Sequence, residues 1–440
     1  MKRIHLIAIG GAIMHNLAIA LQRKGHCVSG SDDAIYDPAR FNLADNDLLP
    51  TEGWNPDYIT ADIDVVILGM HAKSDNPELQ KAQDLNLKIM SFPEFVASEC
   101  EDKKRVVVAG SHGKTTTTAM IMHVLSNLSI EFDYLVGSSI DGFDLSVKLT
   151  DAPLVIIEGD EYLSSPLDLR SKFLWYRPHL SIITGIAYDH INVFPTFESY
   201  VDTFKAYIDS HVPDGHFFWF MKDSYLAQLV QESDIGHTGY DTPSYEQTDK
   251  GVQICFNHQW YPLSIVGKHN LENMHAAQQV CQKLGIAGED FYGAAATFTG
   301  AGRRMEKIYE KNNQVVYRDF AHSPSKLKAT TEAIKETYGT KLLAVFELHT
   351  FSSLTQEFMP LYKDAMKTAD VAIVFYSDTV FEQKKMKYLD ATFVEKCFGD
   401  VEVIHEVEQL KNLVYKSFKQ GDNILLMSSG TFEKASFEFG

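Results

Sequence analysis

The sequence contains little cysteine and no apolar stretch of membrane-spanning length. Its five cysteines are scattered through 440 residues, and no two form a CxxC pair, so a disulfide framework or a zinc site is not expected. No uninterrupted apolar run approaches the roughly 20 residues that a spanning helix needs. The N-terminus lacks a small-residue cleavage site after its apolar run, so a signal peptide is not predicted. These absences predict a soluble, cytoplasmic protein that does not associate with a membrane.

Positive charge is also scarce. The chain carries 40 Lys and Arg against 59 Asp and Glu, which gives a formal net charge of −19. A field of that sign repels phosphate backbones, so a nucleic-acid partner is not expected, and any bound phosphate must be held by local groups. The hydrophobic fraction of 45% is typical of globular proteins and excludes a mainly disordered chain. Nothing in the pattern implies an obligatory protein partner.

The length of the chain corresponds to about three domains. Short apolar runs alternate with segments of helical spacing, which predicts an α/β fold of parallel sheets covered by helices. The polar stretch Glu101–Lys104 and the glycines of Gly300–Gly302 interrupt this alternation. The predicted domains are therefore residues 1–103, 104–300 and 301–440.

Two stretches between the motifs differ in their pattern. Residues 214–261 mix Gly, Pro, Asp and Trp without a clear period, so no elements are predicted there. Residues 354–370, with the sequence LTQEFMPLYKDAMKTAD, lie between two predicted strands and are predicted to form a helix.

The strongest motif is a glycine-rich loop between a buried strand and a helix. VVVAG at 106–110 runs directly into SHGKTTT at 111–117. Small residues let backbone N–H groups approach phosphates, and the helix N-terminus adds partial positive charge. Lys114 would reach the terminal phosphates, and the Thr115 hydroxyl would bind Mg²⁺. The loop is shorter than GxxxxGK[ST], yet its context favours a nucleotide over a chance glycine turn. The predicted ATP-binding residues of this loop are Gly110, Ser111, His112, Gly113, Lys114, Thr115 and Thr116.

Acidic residues follow another buried strand of the same region. The apolar run PLVII leads into Glu158-Gly159-Asp160-Glu161, and a further strand ends near Asp189-His190. Ligands of parallel α/β sheets lie outside the carboxyl ends of the strands, where an acid beside a phosphate loop can hold Mg²⁺. A metal site is therefore favoured over helix capping, with Asp160 and Glu161 as alternatives to Glu158.

The N-terminal region contains part of a nucleotide-binding pattern. Gly10 and Gly11 follow the first strand, and Asp32 lies at the end of the second. No register completes GxGxxG, so a nucleotide-binding half is favoured over a purely structural turn, and a nicotinamide cofactor does not follow.

Two later clusters are ambiguous by themselves. His269, Asn270 and Asn273 open a helix, where amide side chains either contact a purine or cap the helix. Arg303 and Arg304 follow glycines and suit phosphate, because a guanidinium group binds oxyanions bidentately.

Taken in chain order, these motifs resemble the Mur ligase family, the ATP-dependent amide-forming enzymes of peptidoglycan synthesis. The resemblance covers nearly the whole chain through GGxxM, GSHGKTTT, IEGDEY, a DH pair, GKHNLENMHAA, GRRMEKI and RDFAHSP. It implies a Rossmann-like N-terminal domain for a UDP-sugar, a central P-loop ATPase domain and a Rossmann-like C-terminal domain for the amine substrate. ATP and Mg²⁺ are the implied cofactors.

The resemblance also implies the reaction and roles for individual residues. ATP phosphorylates a carboxylate to an acyl phosphate, and the amine then attacks to form an amide. The implied catalytic residues are Lys114 and Arg304 on the phosphates, with Glu158 and His190 beside Thr115 around Mg²⁺. The other implied contacts are adenine for His269, Asn270 and Asn273, ribose for Asp319, and the two substrates for Gly10, Gly11, Asp32, His322 and His349.

Within the family, the N-terminal GG and the HxP segment resemble the members that use UDP-N-acetylmuramate. The run GDEYLSSPLDLRSKFLWYRP and the segment MSSGTF resemble members that attach the peptide L-Ala-γ-D-Glu-meso-diaminopimelate in peptidoglycan recycling. Members that attach L-alanine carry an HRYTR-type segment after the strand that matches KLLAVFEL. Here that segment is His349–Ser353, which has no arginine, so a peptide is favoured over the alternative, L-alanine.

Charged residues near the segment His349–Ser353 suggest how the carboxylates of a peptide substrate are bound. Glu347 is expected to repel a nearby carboxylate, whereas Lys326 and Lys328 are expected to receive acidic groups further along the peptide. Gly185 and Ala187 stand where the family usually has Asn and Glu. Two functions of other classes remain as alternatives, namely a dinucleotide oxidoreductase and a nucleotide-dependent switch without a ligase step.

Overall fold

The chain divides into two compact units in a computed structural model that describes residues 1–188, 193–248, 251–302 and 304–439. The first unit comprises Met1–Ile186, Pro195–Asp241 and Ala276–Ala287. The second comprises Ala187–Phe194, Thr242–His275 and Gly288–Gly440. His190 and Arg303, two residues singled out in the sequence, lie outside the described residues.

The first sheet of unit one is parallel and has the strand order β2-β1-β3-β4. Ile7, Val66 and Leu68 of its strands are buried in one apolar cluster with residues of the third helix. The predicted strands and the helix after Gly10-Gly11 are confirmed here. Its elements are β1 (Arg3–Ile7), α1 (Met14–Arg23), β2 (Cys27–Ser31), α2 (Ala39–Ala44), β3 (Val65–Leu68), α3 (Pro77–Asp84), β4 (Ile89–Ser91) and α4 (Phe92–Glu99).

A seven-stranded sheet forms the rest of unit one. Its order is β13-β12-β11-β5-β8-β6-β7, and all pairs are parallel except β6 with β7. The phosphate-loop strand β5 therefore lies at the centre, between β8 and β11. The elements are β5 (Lys104–Ala109), α5 (Lys114–Asn127), β6 (Asp133–Leu135), β7 (Val147–Lys148), β8 (Leu154–Glu158), the hairpin β9 (Leu163–Ser165) and β10 (Asp168–Ser171), β11 (Leu180–Ile183), α6 (Phe197–Asp209), β12 (His216–Phe220), α7 (Ser224–Gln231) and β13 (Gly236–Tyr240).

A three-stranded antiparallel sheet comes next in the chain, with the order β14-β15-β16. Together with β12, α7 and β13, these strands occupy the stretch 214–261, for which the sequence predicted no elements. The new elements and the two helices after them are β14 (Glu246–Thr248), β15 (Gly251–Phe256), β16 (Gln259–Leu263), α8 (Lys268–Lys283) and α9 (Gly288–Ala295).

The largest sheet of unit two has the order β17-β18-β22-β19-β20-β21 and is parallel except for the edge strand β17. On β19, Ala344 and Phe346 belong to one apolar cluster, and Leu343 and Val345 belong to another. The sheet is therefore covered on both faces, as parallel sheets require. Its elements are β17 (Glu306–Lys311), β18 (Gln314–Asp319), α10 (Pro324–Tyr338), β19 (Leu342–Glu347), β20 (Val371–Phe375), α11 (Asp378–Lys384), α12 (Ala391–Phe398), β21 (Glu402–Ile404), α13 (Val407–Lys419) and β22 (Asn423–Met427).

The helix predicted over residues 354–370 is wrong. This stretch contains only the short 3₁₀ turn Met359–Tyr362, with Pro360 in its first turn. A proline inside an α-helix removes one hydrogen bond and clashes with the preceding turn, and Asp364 has a left-handed φ of 59°. The buried side chains of Met359 and Tyr362 produced the helical spacing without a helix.

None of the helices in the described part of the chain combines the length and the apolar character that crossing a bilayer requires. The α/β class predicted from the alternating pattern is confirmed by the sheets and helices above.

Candidate active site

The predicted phosphate loop lies where the central strand β5 ends and α5 begins. Val106, Val107, Val108 and Ala109 are fully buried, because β5 has neighbours on both edges and helices on its faces. The helix starts at Lys114 after Gly113, which has φ 78° and provides no side-chain cap. First-turn N–H groups of an uncapped helix are suited to an anion.

Position 110 requires glycine because its backbone lies very close to the loop that follows β11. Its φ is +120°, and a Cβ built there would lie 2.2 Å from Oγ1 and 2.7 Å from the backbone N of Thr184. Thr184 Oγ1 also donates to the His112 carbonyl. The backbone thus fixes a tight turn that a side chain at position 110 would disrupt.

We expect Gly110→Ala to destabilise the protein by about 2–3 kcal/mol, because the new methyl meets backbone atoms in a left-handed turn. Urea unfolding measures this change. Gly293→Ala is the matched control, since Gly293 lies within α9 and a methyl group added there would have no atom within 4 Å. Equal stability of the two variants would contradict the tight turn.

The ammonium of Lys114 is held by two acceptors. Nζ donates to the carbonyl of Gly110 at 2.7 Å and to Oε2 of Glu161 at 2.7 Å. Burial lowers the pKa of Lys114, but the negative charges of Glu161, Asp160 and Glu158 outweigh burial and raise it above its ordinary value. Lys114 is therefore a fixed positive charge at the N-terminus of α5.

Glu161 belongs to a buried polar chain that reaches another helix. Its side chain is 1% exposed, and its Oε1 accepts the hydroxyl proton of Tyr200 of α6 at 3.0 Å. The Tyr200 oxygen in turn lies 2.8 Å from Oγ of Ser111 in the phosphate loop. Loop, acid and helix α6 are thereby connected by hydrogen bonds.

Glu158 faces the first turn of α5. Its Oε1 accepts the hydroxyl proton of Thr115 at 2.7 Å, and its Oε2 accepts the backbone N–H of Gly137 at 2.9 Å. Asp160 is engaged elsewhere, in an ion pair of 2.6 Å with Lys172. Of the three acids after β8, Glu158 is the one whose partners are neutral.

A hydroxyl and a carboxylate within hydrogen-bond distance are the hard oxygen ligands that Mg²⁺ takes beside phosphates. Thr115 and Glu158 therefore fit this ion. Among the described residues, no group of three His, Cys, Asp or Glu is arranged for a metal. The third predicted ligand, His190, lies outside the described residues.

The N-terminal pattern does bring Gly10 and Asp32 together. Asp32 Oδ2 accepts the backbone N–H of Gly10 at 2.7 Å, and a Cβ on Gly10 would lie 2.9 Å from the same oxygen. Burial raises the pKa of Asp32 to about 6. Gly11 follows in the same turn and donates to the carbonyl of Ala8 at 3.3 Å. The loop after β1 is thus shaped by an acid from the end of β2.

In unit two, the residues predicted for adenine open α8. Asn270 Nδ2 donates to the carbonyl of Val266 at 2.7 Å, and Asn273 Nδ2 lies 3.5 Å from Asn270 Oδ1. Burial lowers the pKa of His269 to about 4, so the ring is neutral near pH 7. The two amides therefore interact with the helix start and with each other.

Arg304 lies just before β17, and Asp319 ends the neighbouring strand β18. The Arg304 guanidinium stacks on the ring of Phe320 at 4.5 Å. Asp319 accepts the N–H groups of Met305 at 2.6 Å and Ala321 at 2.7 Å. Burial raises the pKa of Asp319, and Arg304 opposes this shift.

His322 and His349 follow the carboxyl ends of β18 and β19 in the six-stranded sheet of unit two. His322 Nδ1 lies 2.9 Å from the carbonyl of Phe320. The ring of His349 packs against Gly430, where a Cβ would lie 2.5 Å from Cδ2 of the histidine. Burial and the nearby Lys384 both lower the pKa of His349.

Glu347, predicted to repel a nearby carboxylate if ionised, is engaged in hydrogen bonds with the loop after β22, and the repulsion stays a prediction. Glu347 is 5% exposed, and its Oε2 accepts from the Ser428 hydroxyl and from the N–H of Phe432 at 2.9 Å. Burial raises its pKa, although these hydrogen bonds oppose the shift. Glu347 thus organises the loop after β22, a role that its place at the end of a buried strand did not reveal.

Family models match three consecutive parts of the chain. Residues 3–104 match the catalytic domain of the Mur ligase family, residues 108–281 the Mur ligase middle domain, and residues 303–430 the Mur ligase glutamate ligase domain. The chain is a Mur ligase. The family and the three-domain fold predicted from the motifs are confirmed, and so is an ATP-dependent ligase that joins an acid to an amino acid or peptide in peptidoglycan synthesis.

Two curated relatives match this Mur ligase equally well. It is 29% identical over 454 residues to the UDP-N-acetylmuramate–L-alanyl-γ-D-glutamyl-meso-2,6-diaminoheptandioate ligase of Haemophilus influenzae, covering 98% of this chain and 97% of the relative. It is also 29% identical over 454 residues to the UDP-N-acetylmuramate–L-alanine ligase of Caldicellulosiruptor saccharolyticus, covering 99% and 97%. A crystal structure of UDP-N-acetylmuramate–alanine ligase from Thermotoga maritima shares the fold, with a TM-score of 0.73 at 20% identity and 99% and 97% coverage.

This Mur ligase departs from the family pattern after β11, and the structure gives a local reason. Gly185 has φ +141°, and its carbonyl accepts the N–H of Ser111 at 2.9 Å. A Cβ at this position would lie 3.3 Å from Oδ2 of Asp223, which accepts the N–H of Ile186 at 2.6 Å. An asparagine here would be strained, so Gly185 is matched to this turn.

Three residues of these sites were not identified from the sequence. Tyr200 lies on α6 and belongs to none of the motifs found in the sequence. Asp223 lies in the stretch for which no elements were predicted, where it also caps α7 through the N–H groups of its first turn. Lys384 is 35 positions from His349, and no local motif connects the two residues.

Proposed function

We propose that this Mur ligase joins the lactyl carboxylate of UDP-N-acetylmuramate to the amino group of a peptide, L-Ala-γ-D-Glu-meso-diaminopimelate, as a murein peptide ligase. The Haemophilus influenzae relative carries this activity in its name. The observation that favours a peptide is the origin of the positive charge near His349. The loop after β19 has no arginine of its own, and the cation beside it is Lys384 of α11.

The reaction needs an activated carboxylate. A carboxylate oxygen attacks the γ-phosphorus of ATP, ADP leaves, and the resulting acyl phosphate is attacked by the amine. The tetrahedral intermediate expels inorganic phosphate, and the ammonium nitrogen loses its proton to leave the amide. Such phosphoryl transfer depends chiefly on positioning and on neutralising charge.

The residues of unit one would supply that positioning. Lys114 and the first turn of α5 would hold the β- and γ-phosphates, and Thr115 with Glu158 would hold Mg²⁺. The ion would neutralise the phosphate oxygens while the nucleophile approaches. We propose Arg304 as a second phosphate contact and Asp319 as a ribose contact. His269, Asn270 and Asn273 would contact adenine.

The remaining assignments follow from the same proposal. Gly10, Gly11 and Asp32 would line the UDP-sugar site, with His322 and His349 on the amine side and His190 near the metal. The proposed domain boundaries are residues 1–103, 104–300 and 301–440. Because peptidoglycan precursors linked to UDP are made in the cytoplasm, we propose that compartment for the enzyme.

The geometry around His349 supports a peptide as the amine substrate. Ser353 donates its N–H to Oγ1 and its hydroxyl to the carbonyl of Thr350, so these two residues close a turn within the loop after β19. Lys384 Nζ lies 4.5 Å from the ring centroid of Phe351, whose side chain is 54% exposed. Burial lowers the pKa of Lys384, so a carboxylate would offset an existing desolvation.

The alternative is a UDP-N-acetylmuramate–L-alanine ligase, which the equal identity to the Caldicellulosiruptor saccharolyticus relative favours. A direct competition separates the two functions. The protein is incubated with ATP, Mg²⁺ and UDP-N-acetylmuramate, with L-alanine and the tripeptide offered at equal concentration, and the product is identified by mass. A tripeptide product supports the proposal, and an alanine product replaces it with the alternative.

We expect Glu158→Gln to raise the Mg²⁺ concentration for half-maximal activity by about tenfold or more, because the neutral amide is a poor ligand for this ion. The measurement is ligation rate against Mg²⁺ at saturating ATP. Asp160→Asn is the matched control, since Asp160 pairs with Lys172. An unchanged Mg²⁺ requirement in Glu158→Gln, or a larger increase in Asp160→Asn, would contradict the assignment.

A further inference from the structure

We propose that Glu161 and Tyr200 are positioning residues that aim Lys114 at the terminal phosphate. This inference rests on the proposed ligase reaction and extends it to two side chains that would not touch the nucleotide. Its basis is the continuous hydrogen-bonded chain Tyr200–Glu161–Lys114, whose members all belong to unit one.

The ammonium group of Lys114 has three N–H donors. Two of them go to the Gly110 carbonyl and to Glu161, each at 2.7 Å. With two donors fixed in direction, tetrahedral geometry fixes the third. Lys114 can then donate one hydrogen bond to a phosphate without rotating, which lowers the cost of ordering a flexible side chain.

Glu161 is itself held in place by Tyr200. A buried carboxylate beside a phosphate site opposes nucleotide binding unless it is neutralised. Glu161 is 1% exposed and Tyr200 is fully buried, so the chain excludes water. Tyr200 donates to Oε1 at 3.0 Å, which leaves Oε2 directed at Lys114.

Tyr200 is rigid because of its packing. Its ring packs edge-on against Phe204 at 5.3 Å, and Phe204 packs edge-on against Phe173 at 5.6 Å. The helix that carries it starts with a capping box at Thr196. A buried aromatic contact on a capped helix restricts the hydroxyl to one place, so Tyr200 can fix the orientation of the carboxylate.

The test separates positioning from binding and from stability. We expect Tyr200→Phe to lower kcat for ligation by about tenfold, because the hydrogen bonds of the hydroxyl to Glu161 and to Ser111 are lost. The KM for ATP should stay within about twofold, since the charge of Lys114 is retained. Tyr207→Phe is the matched control, with the same change on the same helix at a fully buried tyrosine, and its kcat should equal that of the parent.

Glu161→Gln extends the test. We expect a fall in kcat of about 100-fold with an unchanged or lower KM for ATP, because removing a negative charge favours phosphate binding while the aim of Lys114 is lost. Glu161→Asp keeps the charge and should recover part of kcat. A structural role would instead raise the KM for both substrates and lower the thermal midpoint in step with activity.

The outcomes distinguish this inference from the proposed function. A parent enzyme that forms no amide with either amine would remove the proposed function. A parent enzyme that forms amide, with both Tyr200→Phe and Glu161→Gln within twofold of its kcat, would overturn the positioning role alone. If Glu161→Gln does not fold, the comparison of kcat between Tyr200→Phe and Tyr207→Phe still tests the positioning role.

Discussion

Lys114→Ala is expected to lower kcat for ligation by at least about 10³-fold. The lysine provides the fixed positive charge at the end of β5, and in phosphoryl transfer such charges act mainly in the transition state. Burial lowers its pKa, but Glu161, Asp160 and Glu158 raise it by more, so the ammonium form is present throughout the neutral range. Water that fills the space in the variant cannot replace a directed charge. Single-turnover ligation measures the effect.

The same variant is expected to be less stable than the parent. Removing Lys114 leaves Glu161 buried without its cation, which costs about 3–5 kcal/mol when one partner of a buried pair is lost. The double change Lys114→Met with Glu161→Gln removes both charges and should restore most of the stability without restoring activity. Lys222→Ala is the control, because that lysine is 51% exposed in a surface pair with Asp241. Turnover near normal in Lys114→Ala would remove the phosphate loop from the mechanism.

The phosphate loop could be predicted from sequence because its determinants are local. A fully apolar strand, glycines at two positive-φ positions and a Lys-Thr pair opening a helix occupy one short segment. Each feature restricts the others, so few structures are compatible with the segment. The acids after β8 were predicted for the same reason. Which acid pairs with which lysine could not be predicted, because Lys114 opens α5 whereas Lys172 follows β10, and only the tertiary structure shows that they pair with Glu161 and Asp160.

The failures have equally physical causes. The false helix at 354–370 arose because buried side chains in irregular turns can repeat at helical spacing, while Pro360 prevents the helix itself. In the stretch 214–261, β12 and β13 pair with strands that are distant in the sequence, whereas β14, β15 and β16 pair with their neighbours in the chain. All five strands are short, so periodicity within one segment carries little information about them. The hydrogen bonds of Glu347 could not be predicted, because a carboxylate at the end of a strand can equally serve a substrate or a neighbouring loop. Only the tertiary position of Ser428 distinguishes these roles.

The peptide is expected to exceed free L-alanine in kcat/KM by at least about 100-fold at a fixed concentration of UDP-N-acetylmuramate. Free alanine has its carboxylate two bonds from the attacking nitrogen, so a site that selects it must place a cation beside the reaction centre. The described part of the loop after β19 contains no arginine or lysine between Leu348 and Leu354. A peptide has a neutral amide at that point, and its carboxylates lie further away, where a cation from another element can meet them.

We propose Lys384 as a cation for this contact. It lies over Phe351, and together with burial it lowers the pKa of the neighbouring His349. Of the two lysines suggested by the sequence, Lys326 has its Nζ 3.5 Å from Nε2 of His322 and stays a predicted contact. Lys328 is 64% exposed and 4.0 Å from Glu332, so a carboxylate would gain less from it. Removing one charge-assisted contact costs about 1.5–3 kcal/mol. Lys384→Met should therefore lower kcat/KM for the tripeptide by about 10–100-fold, and Lys328→Met should leave it nearly unchanged.

A modified substrate tests whether the enzyme recognises the negative charge of the peptide carboxylates. The tripeptide with its carboxylates amidated should react poorly with the parent enzyme, and Lys384→Met should cause little further loss, because the interaction is already absent. For L-alanine, Lys384→Met should change kcat/KM by less than about twofold, since the single carboxylate of alanine stays next to the reacting nitrogen. A larger loss for L-alanine than for the tripeptide would show that Lys384 selects the amino acid, and a higher parent kcat/KM for L-alanine would make this enzyme an alanine-adding ligase.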